Sequence, residues 1–457
     1  MMLLKKPLPV ILLVIASLAL VALYSVRVIK QGAEAYIYGY PLVLMELTRQ
    51  TMGADAEPDK GPNHLYHMRS FPDHTFRNVV RPNNDTLYSI SWLDLSQEPM
   101  IIKTPASDRY YVLPFMDAWT NVFASIGTRT TGNEAGAYAL VGPNWSGEIP
   151  VGVKEIKSPT NMVWMIGRVQ TNGRNDIPNA AAIQDQFSIT PISQWAASIQ
   201  NPPTIITNMK TSGKANPKQL IDELSTTEFF TMLSKLMAAQ PPSPSDNKAV
   251  ENLSNIGMTP GQPFVLDDLG PLQRKLVVKG VAIANRKLHE AIDSKEESPK
   301  ENGWIVWRDS IGDYGTNYKL RAGVALAGLG ALLPAEAVYP STNIDSKGQH
   351  LVGTNNYKIH FPTTPPNDAF WSITMYDTEG FMIENPINRY LIGDRNKLQF
   401  NSDGSLDIYI QHNQPEAGIS NWLPAPAENF VITMRIYQPT EEFIKGDWKV
   451  PAVLRIN

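Results

Sequence analysis

The chain contains no cysteine in its 457 residues. This absence excludes disulfides, iron–sulfur ligation, thiolate zinc sites and cysteine nucleophiles. It is compatible with an oxidising compartment such as the bacterial periplasm, where a free thiol is a liability. Charge is also scarce, because Asp, Glu, Lys and Arg together make up 18% of the chain. The formal net charge of -4 provides no basic footprint for nucleic acid.

The common catalytic signatures are missing as well. The sequence has no Gly-x-Ser-x-Gly elbow, no phosphate loop ending in Gly-Lys-Ser/Thr, no His-Glu-x-x-His and no His-x-His. These absences argue against a serine hydrolase of the common type, a nucleotide enzyme, a zincin and a cupin oxygenase.

One long hydrophobic run is present, at the N-terminus. Residues 7–26 are uncharged and mostly apolar, with Lys5 and Lys6 before them and Arg27 after them. Twenty helical residues rise about 30 Å, enough to cross the hydrocarbon core of a bilayer. The two lysines favour a cytoplasmic N-terminus and export of the rest. We predict an uncleaved inner-membrane anchor with the bulk in the periplasm; the alternative is a secretory signal cleaved near the weak site at 17–19, with secretion.

Beyond the run, residues 31–52 predict an amphipathic helix broken at Pro41. Strand and turn signals follow over 63–191, and leucine spacings of three and four predict a helix over 217–239. A proline-rich linker at 240–245 and a second helix over 272–292 come next. The last ~120 residues alternate apolar and polar side chains in three segments, the pattern of an antiparallel sheet with one buried face.

These patterns predict a mainly β protein with a helical insert, of class α+β. We divide the chain into an anchor (1–30), a first β domain with its leading helix (31–210), a helical insert (211–335) and a second β domain (336–457). No strong internal sequence repeat is visible, which leaves open whether the two β domains share a fold.

Several longer motifs resemble a bacterial family defined by two consecutive domains of unknown function, numbered 1254 and 1214. Those in the first half are Arg-Pro-Asn-Asn-Asp-Thr-Leu-Tyr-Ser at 81–89, Leu-Asp-Leu at 93–95, Arg-Tyr-Tyr at 109–111 and Ile-Gly-Thr-Arg-Thr-Thr-Gly at 126–132. Those in the second half are Phe-Trp-Ser-Ile-Thr-Met-Tyr-Asp at 370–377, Asn-Arg-Tyr at 388–390, Ile-Gly-Asp-Arg at 392–395 and Asn-Trp-Leu-Pro-Ala-Pro at 421–426. The resemblance implies two tandem jelly-roll-like antiparallel β-sandwiches with a helical section. It implies no chemistry.

Three histidines lie within eleven residues and form a candidate site for a divalent metal. His64 and His67 are three residues apart, and His74 follows beside Asp73. Imidazoles with a carboxylate suit zinc or another borderline metal. The flanking prolines equally favour a surface loop with solvated histidines.

Two further groups of polar residues in the first domain suggest a site. In the turn at 81–85, Arg81 and Asn83 are candidate substrate-binding residues, and Asp85 is a candidate catalytic carboxylate. Asp117 and Arg129 follow predicted strands and are candidate catalytic partners for acid–base chemistry. The alternative is structural: a turn that satisfies its own backbone donors, and buried ion pairs.

The second domain offers aromatic side chains beside polar ones. We predict that Trp371, Tyr376, Arg389 and Trp422 bind substrate, because flat rings with planar hydrogen-bonding groups suit sugars and other amphipathic ligands. The same residues also suit core packing and ion pairs.

Two functions therefore remain open. The first is an envelope enzyme, a hydrolase or lyase, that uses carboxylate or metal-assisted water chemistry on a small organic or glycan-like substrate. The second is a non-catalytic ligand-binding or scaffolding module at the cell surface. For the latter, analogy with other tandem jelly rolls suggests a homo-oligomer, a trimer in particular.

Overall fold

The structure, a computed structural model, describes residues 8–52, 61–77, 81–198, 216–294 and 298–456. The helices in these ranges are α1 (Leu8–Thr51), α2 (Ile177–Gln184), α3 (Trp195–Ser198), α4 (Pro217–Glu223), α5 (Thr226–Ala239), α6 (Asn247–Ser254), α7 (Pro271–Ser294), α8 (Tyr318–Gly328) and α9 (Glu441–Lys445).

The strands of the first half are β1 (Tyr66–His67), β2 (Thr86–Asp94), β3 (Met100–Thr104), β4 (Tyr111–Asp117), β5 (Val122–Gly127), β6 (Gly136–Val141), β7 (Lys154–Lys157), β8 (Met162–Gln170) and β9 (Ser188–Pro191). Those of the second half are β10 (Lys300–Glu301), β11 (Trp304–Ile305), β12 (Ala337–Val338), β13 (Ser341–Thr342), β14 (Asn356–Phe361), β15 (Asn367–Asp377), β16 (Leu391–Gly393), β17 (Leu406–Gln411), β18 (Trp422–Pro424), β19 (Phe430–Pro439) and β20 (Val453–Ile456).

Helix α1 runs without interruption for 44 residues, so the predicted break at Pro41 is wrong. Pro41 removes one backbone hydrogen bond, which costs about 3 kcal/mol in an isolated helix. Close packing offsets this cost, because the flanking Tyr40 and Leu42 are fully buried. The first half of α1 is different: its large apolar side chains are exposed from Leu12 to Val26. Among the described residues, α1 is the helix long and apolar enough to cross a membrane. Lys5 and Lys6 lie outside the described residues.

The predicted helix over 217–239 is in fact two helices, α4 and α5. The helical segment is interrupted before Ser225, the N-cap of α5. The Ser225 side chain accepts a hydrogen bond from the Glu228 backbone N–H at 3.2 Å. Glu228 returns the contact by accepting from the Ser225 N–H at 2.8 Å. Such a capping box starts a new helix, and the apolar spacing alone does not reveal it. The second predicted helix, over 272–292, is confirmed as α7.

The described chain forms two compact units. One, the helical unit, comprises Met1–Thr48, Ala215–Lys295 and Gly315–Ala327, and the other, the β unit, comprises Arg49–Lys214, Glu296–Tyr314 and Gly328–Asn457. Most of the leading helix therefore belongs with the helical insert, whereas our division of the sequence placed it with the first β domain. The boundaries of that four-part division remain a prediction.

The β unit contains two sandwiches, which confirms the predicted α+β class. In the first, sheet β1-β2-β8-β4-β5 packs on sheet β7-β6-β3-β9. In the second, a seven-stranded sheet ordered β10-β11-β13-β19-β15-β16, with β12 also paired to β19, packs on sheet β18-β17-β14-β20. The alternation predicted for the last ~120 residues is observed: Trp371, Ile373 and Met375 face the second core.

The two sandwiches share one topology, strand for strand. The path β2-β8-β4-β5 corresponds to β13-β19-β15-β16, and β7-β6-β3-β9 corresponds to β18-β17-β14-β20. Each second sheet even carries one parallel pair at the same place, β6 with β7 and β17 with β18. The two β domains are therefore copies of one fold, although their sequences show no strong repeat.

Strand register fixes which residues correspond. Val112 lies opposite Arg168 in the first domain, and Ser372 lies opposite Arg435 in the second. Gly127 faces Val112 just as Gly393 faces Ser372. Both glycines are required, because an added Cβ would come within 2.2 Å of a carbonyl oxygen of the neighbouring strand.

Candidate functional site

The predicted turn at 81–85 lies against the outer face of the seven-stranded sheet. That face is polar and buried: Ser372, Thr374 and Tyr376 project from β15, and Arg435 and Tyr437 from β19. The side chains alternate along each strand, so the opposite face holds the apolar core. The buried polar face is thus where the two β domains meet.

Asp85 is fully buried at this junction. Its carboxylate forms an ion pair with Arg395, which follows β16, and accepts a hydrogen bond from Ser372 Oγ at 2.8 Å. Both partners belong to the second domain. Because an unpaired buried carboxylate is strongly unfavourable, the contact ties the end of the turn to that domain.

A second ion pair joins the same two domains, with its carboxylate in the second domain and its arginine in the first. Glu336, just before β12, pairs with Arg129 Nε at 2.6 Å and accepts from Tyr110 Oη at 2.8 Å. Both of its partners belong to the first domain. Backbone contacts mark Asp85 and Glu336 as corresponding residues, since the Asp85 carbonyl accepts from Thr171 N–H at 3.0 Å and the Glu336 carbonyl from Gln438 N–H at 2.8 Å.

The two arginines of these ion pairs correspond as well. Arg129 and Arg395 each stand two residues after the paired glycines of β5 and β16. Each domain therefore contributes one carboxylate and one arginine, and receives the complementary pair from the other. This is the reciprocal pattern of a two-fold interface, here within one chain.

Two further buried arginines, Arg168 and Arg435, also correspond. Arg168 donates to the Gly330 carbonyl, and Arg435 donates to the Arg81 carbonyl, both at 3.1 Å. Each reaches across to the segment that leads into the other domain's sheet. Arg435 also donates to Tyr376 Oη at 2.7 Å. Burial raises the pKa of Tyr376, so its phenol stays neutral and donates to the Pro82 carbonyl.

The structure brings together four of the predicted site residues, namely Arg81, Asn83, Asp85 and Tyr376. Asn83 donates from Nδ2 to Thr86 Oγ1 and to Tyr437 Oη, each at 2.9 Å. The side-chain oxygen Oδ1 of Asn83 also accepts a hydrogen bond from the Asp85 backbone N–H. Asn83 therefore shapes the turn and holds it against the second domain.

The predicted catalytic residues Asp85, Asp117 and Arg129 do not share a site. Asp117 ends β4 and accepts from the Asn121 backbone N–H at 2.8 Å and from its amide at 3.1 Å, which closes the turn to β5. The other two form the separate ion pairs described above. No shared acid–base centre arises from them.

Three predicted ligand-binding residues of the second domain lie elsewhere. Trp371 packs in the second core, and Trp422 is buried with its indole N–H donating to the Gln411 carbonyl at 2.9 Å. Arg389 donates to the Ile419 and Trp422 carbonyls, so it braces a loop. Neither tryptophan offers a free ring face to a sugar.

The three histidines do not form one group. His64 contacts the Gly61 carbonyl at 3.0 Å, and His74 contacts Tyr390 Oη at 3.0 Å. His67 is buried and contacts Ser89 Oγ at 2.9 Å. Across the described part of the chain, no three His, Asp or Glu side chains are grouped in a way that could hold a metal ion.

The partners that explain the motifs, chiefly Arg395, Arg435 and Glu336, are not among the predicted site residues. One signal for the first was available. The tetrapeptide Ile-Gly-x-Arg occurs at 126–129 and again at 392–395, and both copies end in an arginine of a reciprocal ion pair. No comparable pattern marks Glu336.

These features define a protein of two duplicated β-sandwiches joined through a buried polar interface. Two family models match the chain: Protein of unknown function (DUF1254) over residues 62–191, and DUF1214 over residues 336–441. The chain belongs to the proteins that carry these two domains in this order, as the motifs predicted.

The chain is similar to a solved structure along most of its length. The crystal structure of the VPA0106 protein from Vibrio parahaemolyticus superposes with a TM-score of 0.69 at 26% identity, covering 94% of this chain and 100% of that one. An uncharacterized protein from Burkholderia cenocepacia gives a TM-score of 0.47 at 12% identity, over 95% and 96% of the two chains. No curated protein matches.

Replacing Asp85 with Asn should destabilise the protein by about 3 kcal/mol, because the buried Arg395 loses its closest counter-charge and keeps only the more exposed Asp394, 3.4 Å from its Nε. Urea unfolding of the full chain in detergent measures the change. The double variant Asp85→Asn/Arg395→Gln should lose less than the sum of the single losses. Asp267→Asn is the matched control: its pair with Arg274 is exposed, so a loss below about 1 kcal/mol is expected. An Asp85→Asn loss no larger than the control's would contradict the structural role.

Acid should destabilise the protein through His67. Burial lowers the pKa of His67 from 6.5 to about 4. The charge of Arg69 lowers this pKa further by a smaller amount, and the charge of Asp185 opposes the shift. The unfolded chain takes up a proton as pH falls below about 6.5, whereas the folded His67 remains neutral down to about pH 4. Stability should therefore fall by up to about 3 kcal/mol across this window. The variant His67→Gln should lack that part of the pH slope, and parallel slopes in the two proteins would contradict the assignment.

Proposed function

We propose that the protein is a signal-anchored envelope protein whose β unit lies in the periplasm and serves as a non-catalytic ligand-binding module. The observation that carries the second half of this proposal is the engagement of the predicted catalytic groups. Asp85, Asp117 and Arg129 each serve a different structural contact. They are therefore not available as a common acid–base centre, which leaves binding as the function that the geometry supports best.

The course of α1 supports a retained anchor. The helix from Leu8 to Val26 rises about 28 Å, close to the thickness of a hydrocarbon core. Its exposed apolar side chains give way at Val28 to buried ones, and Tyr36 and Tyr38 then pack within the helical unit. Cleavage at 17–19 would cut inside this helix. A span that continues directly into a folded core fits an anchor better than a removable signal.

The other predictions about function find less support. A metal-assisted hydrolase or lyase needs a grouped ligand set, and the described residues hold none. A glycan platform needs exposed rings, and Trp371 and Trp422 are buried. The homotrimer remains an analogy with other tandem jelly rolls.

Because the chain lacks cysteine, single introduced thiols can report its topology. We expect Val151→Cys, at a fully exposed position of the β unit, to react with a membrane-impermeant maleimide once the outer membrane is permeabilised. Met2→Cys should react only after the inner membrane is broken. The measurement is the mass shift of each labelled protein. Labelling of Met2→Cys alone, or protein released from membranes by alkaline carbonate, would contradict the proposed anchoring.

Native mass spectrometry tests ligand binding. The full chain is sprayed in detergent, and the detergent is removed in the gas phase. We expect a small-molecule mass that is lost when the protein is unfolded in acid and organic solvent. Thermal unfolding with millimolar acetate, benzoate or inorganic phosphate at constant ionic strength gives a second readout. A protein with no adduct and no shift with any of the three would contradict the binding function.

A further inference from the structure

The duplicated interface shows where its two halves differ. In one half, Arg435 donates to the carbonyl of Arg81; in the other, Arg168 donates to the carbonyl of Gly330. Both acceptor residues have a positive φ, 54° for Arg81 and 90° for Gly330. The acceptor of this arginine-to-carbonyl hydrogen bond is therefore a glycine in one half and an arginine in the other.

A left-handed backbone favours glycine, because a Cβ crowds the neighbouring carbonyl oxygen. Gly330 has the residue type that its conformation favours. Arg81 adopts a similar conformation with a long side chain attached, so the fold carries local strain there. Strained backbone that the surrounding structure holds in place is concentrated at functional sites.

The surroundings of the two positions also differ in polarity. Arg81 donates from Nη1 to Ser341 Oγ at 3.3 Å, and Ser341 Oγ lies 3.3 Å from Thr433 Oγ1. By register, these two hydroxyl residues correspond to Ile90 and Ile166 in the other half. One half of the interface thus presents a guanidinium with two hydroxyl groups where the other presents aliphatic side chains.

In the apolar half, the backbone at Gly330 packs directly on the aliphatic side chains. A Cβ built on Gly330 would lie 3.5 Å from Ile166 and 3.3 Å from the ring of Trp164, so backbone covers the aliphatic pair directly. Arg81 is instead an exposed residue. The protein atoms packed around its guanidinium nevertheless lower its pKa by desolvation.

Arg81 has no carboxylate partner of its own among the described residues. Within this part of the chain it forms no ion pair, and it lies near the phenol of Tyr376 and the guanidinium of Arg435, whereas Arg435 also interacts with the Asp85 carboxylate. Two guanidinium groups close together repel each other unless an anion lies near both. A carboxylate fits this role, because its two oxygens match the donor fork of arginine and also accept from hydroxyl groups.

We propose that Arg81, with Ser341 and Thr433, binds the carboxylate group of a small organic acid. The site is a single-copy addition to a duplicated interface: the other half of the interface lacks its guanidinium and both of its hydroxyl groups. This inference rests on the proposed binding function and names its site and ligand class.

The decisive variant is Arg81→Gly, which places at this acceptor the residue type that accepts from Arg168 in the other half, although the two acceptors lie four and six residues before Asp85 and Glu336. We expect it to weaken binding of benzoate and acetate at least tenfold, measured by calorimetry at constant ionic strength. Its thermal midpoint without ligand should stay equal or rise, because glycine relieves the strain. Arg81→Lys should bind with intermediate affinity, since it keeps the charge and loses the fork.

Asn388→Gly is the matched control, because Asn388 also has a positive φ, 50°, and carries no charge. It should leave benzoate affinity unchanged. Full benzoate affinity in Arg81→Gly would overturn the site while leaving the binding function intact. Arg81-dependent binding of inorganic phosphate, with none of either carboxylate, would overturn the ligand class. Absence of any binding in the parent protein would instead overturn the proposed function itself.

Discussion

The reciprocal exchange of charges between the two β domains is the contact on which the rest of the β unit depends. Asp85 is buried against Arg395, and Glu336 against Arg129, so each domain holds a carboxylate whose partner lies in the other. Separating the domains would remove the counter-charges of Asp85, Glu336 and Arg129, and would leave Arg395 only the Asp394 carboxylate of its own domain. A buried ion pair adds little net stability over an apolar contact, but breaking it is costly. The pairs therefore determine the orientation in which the domains associate more than the strength of their association. They also explain why the sheet face at the interface carries polar residues.

The same constraint explains the resemblance motifs. The turn at 81–85, the tetrapeptides at 126–129 and 392–395, and the strand at 370–377 all lie at this junction. Their polar residues had two readings, catalytic and structural. For Asn83, Asp85 and Arg129 the contacts favour the structural one, since each of these side chains has a partner in the neighbouring domain. Arg81 differs, because its guanidinium has a hydroxyl partner and no carboxylate among the described residues. The motif thus combines residues with partners across the interface and one arginine whose side chain has no carboxylate partner among the described residues.

Much of the architecture could be predicted from sequence, because alternation and heptad-like spacing reflect burial directly. The strands over 370–377 and 430–437 and the helix over 272–292 appear where those patterns place them. Events set by single contacts could not be predicted. The capping box at Ser225 split one helix, and close packing carried another through Pro41. The site was harder still, because partners such as Asp85 and Arg395 are 310 residues apart and nothing local signals their meeting. Apart from the repeated Ile-Gly-x-Arg tetrapeptide, the duplication became visible only from strand order and register.

The continuous α1 gives the proposed anchor a mechanical consequence. A span joined to its domain by a loose tether lets that domain reorient freely, whereas α1 enters the core of the helical unit without a joint. Transmembrane helices tilt by about 20° on average, and by more when the bilayer is thin. The 25 residues from Arg27 to Thr51 extend the helix by roughly 37 Å, so such a tilt displaces the far end of α1 sideways by about 13 Å. Bilayer thickness would thereby set the inclination of the helical unit, making it a passive lever on the membrane.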